Sequence, residues 1–211
     1  MFWKKEKEKI APKREIEKKV FIINGSGGVG KDTFVNMIGK HIKVLNYSSV
    51  KKIKEIAMQG GWNGGKTEKD RKFLSDLKFL FSEYNDLPFE DMKNVYRKFL
   101  SVNSKEKCLF LHIREPEEIE RAKQAFEART ILVSNKNVED IKSNVADANV
   151  LNYSYDIEVK NDGTLGDLED MAKLFIKEEV FNCKEESVDC LECFWGYDDD
   201  EGVYCGCREK E

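Results

Sequence analysis

The run Lys19-Val-Phe-Ile-Ile-Asn24, leading straight into Gly25-Ser-Gly-Gly-Val-Gly-Lys31-Asp-Thr33, decides how this chain is read. Its first part is short and continuously apolar, the pattern of a strand buried on both faces of a parallel sheet; a half-exposed strand would alternate. The run ends in glycines: Gly25, Gly27, Gly28 and Gly30 permit a tight turn around Val29 with backbone N–H groups aimed inward. Phe34, Val35, Ile38 and Ile42 then recur at helical spacing. Strand, glycine turn and helix in that order form a cradle for phosphate. The N–H groups meet its oxygens, the helix adds its positive N-terminal end, and Lys31 supplies an ammonium that reaches the β- and γ-phosphates. The expected ligand is the polyphosphate of a nucleoside triphosphate, on Gly25, Gly27, Gly28, Val29, Gly30, Lys31, Asp32 and Thr33. Asp32 stands where this pattern usually has the Ser or Thr that contacts Mg²⁺. Three roles stay open for it: holding the ion directly, holding it through water, or orienting an attacking phosphate oxygen.

Outward from the loop, apolar runs and helical stripes alternate. Strands are predicted at Val44–Ser49, Lys107–Ile113, Thr130–Val133 and Tyr155–Val159, with helices over 50–58, 69–84, 88–101, 117–126 and 165–180. The helix over 69–84 carries Phe73, Leu74, Leu77, Leu80 and Phe81 on one stripe, and that over 88–101 carries Met92, Val95, Phe99 and Leu100. Residues 135–152 are polar and Asn-rich and read as a loop or lid with at most a short helix. The expected fold is α/β: a P-loop NTPase three-layer sandwich with a largely parallel five-stranded sheet, helices on both faces, and a small Cys-rich C-terminal tail. The division is a charged tail over 1–19, the domain over 20–180, and an acidic Cys-rich tail over 181–211.

Charge and composition exclude several classes. The net charge of −4 argues against a general nucleic-acid or anionic-membrane surface, which needs a basic excess. No apolar run approaches the roughly 20 residues of a membrane helix, and the charged first residues lack the apolar stretch of a signal peptide. A cytoplasmic protein is expected, with no nucleic-acid or membrane partner and with room for a homodimer. Five of the six cysteines follow residue 182. In a reducing compartment, Cys190-x-x-Cys193 and Cys205-x-Cys207 suit four-thiolate ligation of a structural Zn²⁺, with Cys183 as a spare; free thiols in an acidic tail are the alternative.

The Gly-Lys-Asp-Thr string, taken with four further segments, resembles the bacteriophage-type deoxynucleoside monophosphate kinases of the P-loop nucleotide kinase superfamily. The segments are Ser48, Ser49 with the run containing Lys54; Gly61-Trp-Asn-Gly-Gly-Lys66-Thr-Glu-Lys-Asp-Arg71-Lys-Phe-Leu74; Ile113-Arg114-Glu-Pro116-Glu-Glu118; and Asn161-Asp-Gly-Thr-Leu165-Gly-Asp-Leu168. The resemblance covers residues 20–178 and implies Mg²⁺-dependent transfer of the γ-phosphoryl of ATP to a nucleoside monophosphate. It implies Lys31, Asp32, Arg71 and Arg114 as catalytic residues, and Lys54, Trp62, Lys66, Arg71, Arg114 and Glu118 as acceptor-side contacts. Transfer between two polyanions needs cations on both sides, and Arg pairs phosphate in a bidentate way. Trp62 either stacks on a base or anchors its loop. His112 stands where the family has an Asp, and the lid offers only Lys136 and Lys142, with Arg129 just before the preceding strand. Two alternatives stay open: a P-loop kinase of another small metabolite, and a non-catalytic nucleotide sensor that engages a partner.

Overall fold

β1 (Lys19–Asn24) lies at the centre of the sheet because its side chains are buried on both faces. The computed structural model describes residues 17–138 and 150–182, and the backbone of 196–198 and 202–204. From β1 the chain passes through α1 (Lys31–Gly39), β2 (Val44–Ser48), α2 (Lys51–Gln59), α3 (Glu68–Asn85) and α4 (Leu87–Leu100). It continues through β3 (Cys108–His112), α5 (Pro116–Phe126), β4 (Arg129–Ser134), β5 (Ile157–Lys160) and α6 (Leu165–Phe175). The five strands are all parallel, in the order β2-β3-β1-β4-β5. A separate antiparallel pair joins β6 (Gly196–Asp198) and β7 (Gly202–Tyr204).

The two-residue period of β1 divides the core. Phe21 and Ile23 face one layer with Phe34, Val35 and Ile38 of α1 and Phe175 of α6. Val20 and Ile22 face the other, with Phe89, Met92 and Phe99 of α4 and Ile119, Ala122 and Phe126 of α5. Phe21 stacks on Phe110 with ring centroids 5.3 Å apart and meets Phe175 edge-on at 4.9 Å. The helix carrying α6 continues as one wide turn, Ile176–Val180, whose Ile176 and Val180 stay in the core.

Three expectations change in detail. Lys19 opens β1 opposite Cys108, as the run Lys19–Asn24 predicts, so the tail boundary drawn at residue 19 overlaps the strand. Lys18 is docked as well: its ammonium donates to the carbonyls of Phe99 and Ser104 and lies 4.8 Å from the Phe99 ring centroid. Secondly, the apolar stripe of α3 is not buried as a unit. Leu80 is 61% exposed and Phe73 44%, while Lys78 is 8% exposed. Thirdly, of the polar segment 135–152, a turn at 136–138 and a 3₁₀ turn at Val150–Asn152 are described, and 139–149 fall outside the described residues, Lys142 among them. The zinc reading rests on Cys183, Cys190, Cys193, Cys205 and Cys207, which also fall outside them.

Candidate functional site: the phosphate loop and its surroundings

Because the strands are parallel, their carboxyl ends share one edge of the sheet. The chain leaves β1 towards β2 on one side, and returns from β3 to β4 on the other, so the crevice opens where ligands bind in such sheets. The loop from Gly25 to Gly30 fills this point. Gly25 has φ +143°, and a Cβ there would sit 2.2 Å from the Val133 carbonyl oxygen of β4. Gly30, the residue before α1, has φ +99°, and its Cβ would meet Asn161 Nδ2 at 2.5 Å. Both positions therefore require glycine. Asn161 closes the loop from the β5 side by donating from Nδ2 to the Val29 carbonyl at 3.0 Å.

Asn24 braces the same corner. It is 1% exposed, and an amide buried so deeply must be hydrogen-bonded. Its Oδ1 accepts from the Gly25 N–H at 2.8 Å, and its Nδ2 donates to the Tyr155 hydroxyl at 2.8 Å and the Arg114 carbonyl at 3.2 Å. Tyr155 passes the connection on by donating to the Val150 carbonyl at 2.8 Å. Burial holds the Tyr155 phenol above its ordinary range, more than the Asn24 hydrogen bond lowers it. It stays a neutral donor.

Lys31 and Asp32 are the first two residues of α1. The Lys31 ammonium donates to the carbonyls of Gly25 and Ser26 at 2.6 and 2.7 Å, so it lies over its own loop, where phosphate oxygens would compete for it. The Asp32 carboxylate is exposed, and its Oδ1 is 3.7 Å from His112 Nε2 at the end of β3. His112 Nε2 also contacts Asn46 Oδ1 of β2 at 2.7 Å. With Asn46 Oδ1 accepting, the proton sits on Nε2, and the Asp32 carboxylate stays beyond hydrogen-bond distance. Burial lowers the His112 pKa, Asp32 opposes it, and the charges of Lys31 and Arg114 lower it further, so the ring is neutral at pH 7. The same electrostatic neighbourhood brings Lys31, Asp32, His112 and Arg114 together. His112 is thus a half-buried neutral donor where the resemblance led to an acid.

On the side of α2 and α3, Lys54, Lys66 and Arg71 are exposed. Trp62 is half-buried, and its indole N–H donates to Asp70 Oδ1 at 3.0 Å. Asp70 simultaneously completes the capping box of Thr67 at the start of α3. This hydrogen bond ties the glycine loop to α3 through the edge of the indole ring. Glu118 faces Lys78, which lies within 2.7 Å. Arg129 goes to the wrong end: as the first residue of a parallel strand it sits at the edge opposite the loop, where it pairs with Glu179. Lys136 pairs loosely with Asp162 at 3.7 Å. Among the described residues no group of three or more His, Cys, Asp or Glu is arranged to hold a metal ion.

The parallel order β2-β3-β1-β4-β5, with a glycine cradle and lysine between the central strand and its helix, decides the fold. It is a P-loop NTPase fold. No protein-family model matches the chain, and no curated protein matches it in sequence. Among solved structures, shikimate kinase from Aquifex aeolicus is similar at 14% identity, over 75% of this chain and 96% of that one, with a TM-score of 0.48. TT1252 from Thermus thermophilus is similar at 18% identity, over 78% and 99%, with a TM-score of 0.46. Shikimate kinase from Acinetobacter baumannii in complex with shikimate is similar at 11% identity, over 80% and 96%, with a TM-score of 0.42.

Sequence reading missed Asn24, Lys78, Tyr155 and the role of Asn161. Only Asn24 carried a usable signal, as a polar residue ending an otherwise apolar strand immediately before the glycines.

Proposed function

We propose that the chain is an ATP-dependent kinase that transfers the γ-phosphoryl group to a small phosphorylated acceptor, a nucleoside or deoxynucleoside monophosphate. The observation that carries this reading is that the charges of two cations from different elements both reach His112 beside the glycine loop: Lys31 from the start of α1, and Arg114 from just beyond β3. Phosphoryl transfer asks for positioning and charge stabilisation, with little covalent chemistry from the protein.

In this reading the backbone N–H groups of 25–30 bind the donor phosphates, and Lys31 exchanges the carbonyls of Gly25 and Ser26 for β- and γ-oxygens. Asp32 and Thr33 are hard oxygen donors at the start of α1, and they suit Mg²⁺, holding it directly or through water. The ion, when bound, neutralises developing charge on the phosphates. The acceptor lies between the helices α2, α3 and α4 and the ends of β3 and β4. Its phosphate meets Arg71 and Arg114, with Lys54 and Lys66 adding charge at the rim and Trp62 shaping the loop.

The test is ADP formation from ATP and Mg²⁺ over a panel of ribo- and deoxynucleoside monophosphates, beside Lys31→Ala. Acceptor-dependent ADP, falling about a hundredfold or more in the variant, is the expected result. Turnover only with other small metabolites moves the acceptor assignment. ATP binding with no turnover on any acceptor rejects the kinase and leaves the sensor.

A further inference from the structure

Lys78 is the one buried charged side chain among the described core residues, and nothing in the donor site uses it. It lies on α3, two helical turns after Arg71 and therefore on the same face. Its ammonium donates to Glu118 Oε2 at 2.7 Å and to Glu115 Oε2 at 3.0 Å. Both acceptors belong to the start of α5: Glu115 is the residue preceding the helix, and Glu118 is in its first turn, where the helix dipole favours carboxylates. Glu115 directly follows Arg114. Arg114 is thereby held from two sides, its carbonyl by Asn24 and its chain successor by Lys78.

Two carboxylates sharing one buried ammonium is an expensive arrangement. Burial pushes both carboxyls up; in Glu115 the Lys78 charge and hydrogen bonds outweigh burial and leave it lowered, while Glu118 stays raised. Only the ammonium is buried, while the Glu115 and Glu118 side chains stay 43% and 32% exposed, and ion pairs that solvent reaches add little to stability. Stability is therefore a weak reason for this one, and geometry is a stronger one. The clamp spans from the helix that carries Arg71 to the corner that carries Arg114.

We propose that Lys78, Glu115 and Glu118 form a positioning clamp that sets the separation of Arg71 and Arg114, and so governs acceptor binding independently of ATP binding. The inference rests on the acceptor site proposed above. Lys78 touches neither nucleotide; it acts through the two arginines.

The experiment uses the full chain with Lys78→Met, Lys78→Arg and Glu118→Gln. It reads acceptor KM, ATP KM and kcat, and the hydrogen exchange of backbone amides over 112–119. Expected for Lys78→Met is an acceptor KM raised about tenfold, with ATP KM changed less than about twofold, and faster exchange over 112–119. Lys78→Arg, which keeps the charge, restores the acceptor KM to within about threefold of wild type. A folded Lys78→Met protein with unchanged acceptor KM overturns the clamp, as does a parallel rise in both KM values. If Lys78→Met does not fold, Glu118→Gln decides: a selective rise in acceptor KM supports the clamp, and unchanged kinetics overturn it. If the wild type turns over no acceptor, the kinase reading has failed separately. The exchange over 112–119 then judges the clamp, which unchanged protection in the variants would falsify.

Discussion

At Gly25 a single methyl group has nowhere to go, since Val133 oxygen lies 2.2 Å from where a Cβ would stand and φ is +143°. Gly25→Ala must either move β4 or flatten the loop. The expected outcome is loss of ATP binding by titration calorimetry together with destabilisation of about 1–3 kcal/mol in urea unfolding. Cys108 presents the opposite case, a residue protected by its surroundings. It is fully buried, and burial pushes its thiol up to about 12. Iodoacetamide at pH 8 should leave Cys108 unlabelled in the native protein and label it in denaturant, as read by peptide mass mapping; rapid native labelling contradicts the burial. The loop was legible in the sequence because its parts are contiguous. Asn161 and Tyr155 were not, because their partners are more than a hundred residues away: Asn161 closes on Val29 and Tyr155 on Asn24. A polar side chain looks the same in sequence whether it meets water or a distant backbone carbonyl.

Among the elements, the strands were readable and α3 was only half so. Continuous apolar runs have one stable home, the interior of a covered parallel sheet, and the predicted strands appear within a residue or two of their observed ends. The stripe on α3 existed, but periodicity assigns burial by hydrophobicity and cannot foresee a lysine drawn inward by Glu115, just before α5, and Glu118, in its first turn. Leu80 consequently faces out while Lys78 faces in. Helix starts add a second, local kind of information. Thr67 with Asp70, and Thr164 with Asp167, form reciprocal capping boxes. Thr164→Ala should cost about 1 kcal/mol, seen as a lower urea midpoint with an unchanged slope. The hydrogen bonds from the threonines hold Asp70 and Asp167 below the usual carboxylate range. A carboxyl lowered on folding stabilises above its unfolded pKa and loses that contribution as pH falls through the lowered folded value. The Thr164→Ala penalty should therefore be present at pH 7 and shrink below pH 4, a range set by the ordinary carboxylate value of about 3.9.

For the molecule as a whole, every buried apolar residue among those described lies between Val20 and Val180. The two layers of the core are closed by α1 with α6 on one face and α4 with α5 on the other. Among the described residues no helix is long and apolar enough to cross a membrane. The antiparallel strands β6 and β7 lie in the sequence between Cys193 and Cys205, and among the described residues neither joins the five-stranded sheet. A core that closes without the last segment should fold without it. A chain ending at Asn182 is expected to unfold in one cooperative step and to bind ATP within about twofold of the full chain. Cys190, Cys193, Cys205 and Cys207, read from the sequence as a four-thiolate zinc site against free thiols, allow a separate prediction, since all four lie beyond residue 182. Elemental analysis of the full protein purified under reducing conditions should find about one zinc per chain, absent from the shortened one and from Cys190→Ser with Cys193→Ser. Zinc-free full-length protein assigns the cysteines as free thiols. Zinc retained by the shortened chain instead places the metal within residues 1–182, contrary to the four-thiolate reading.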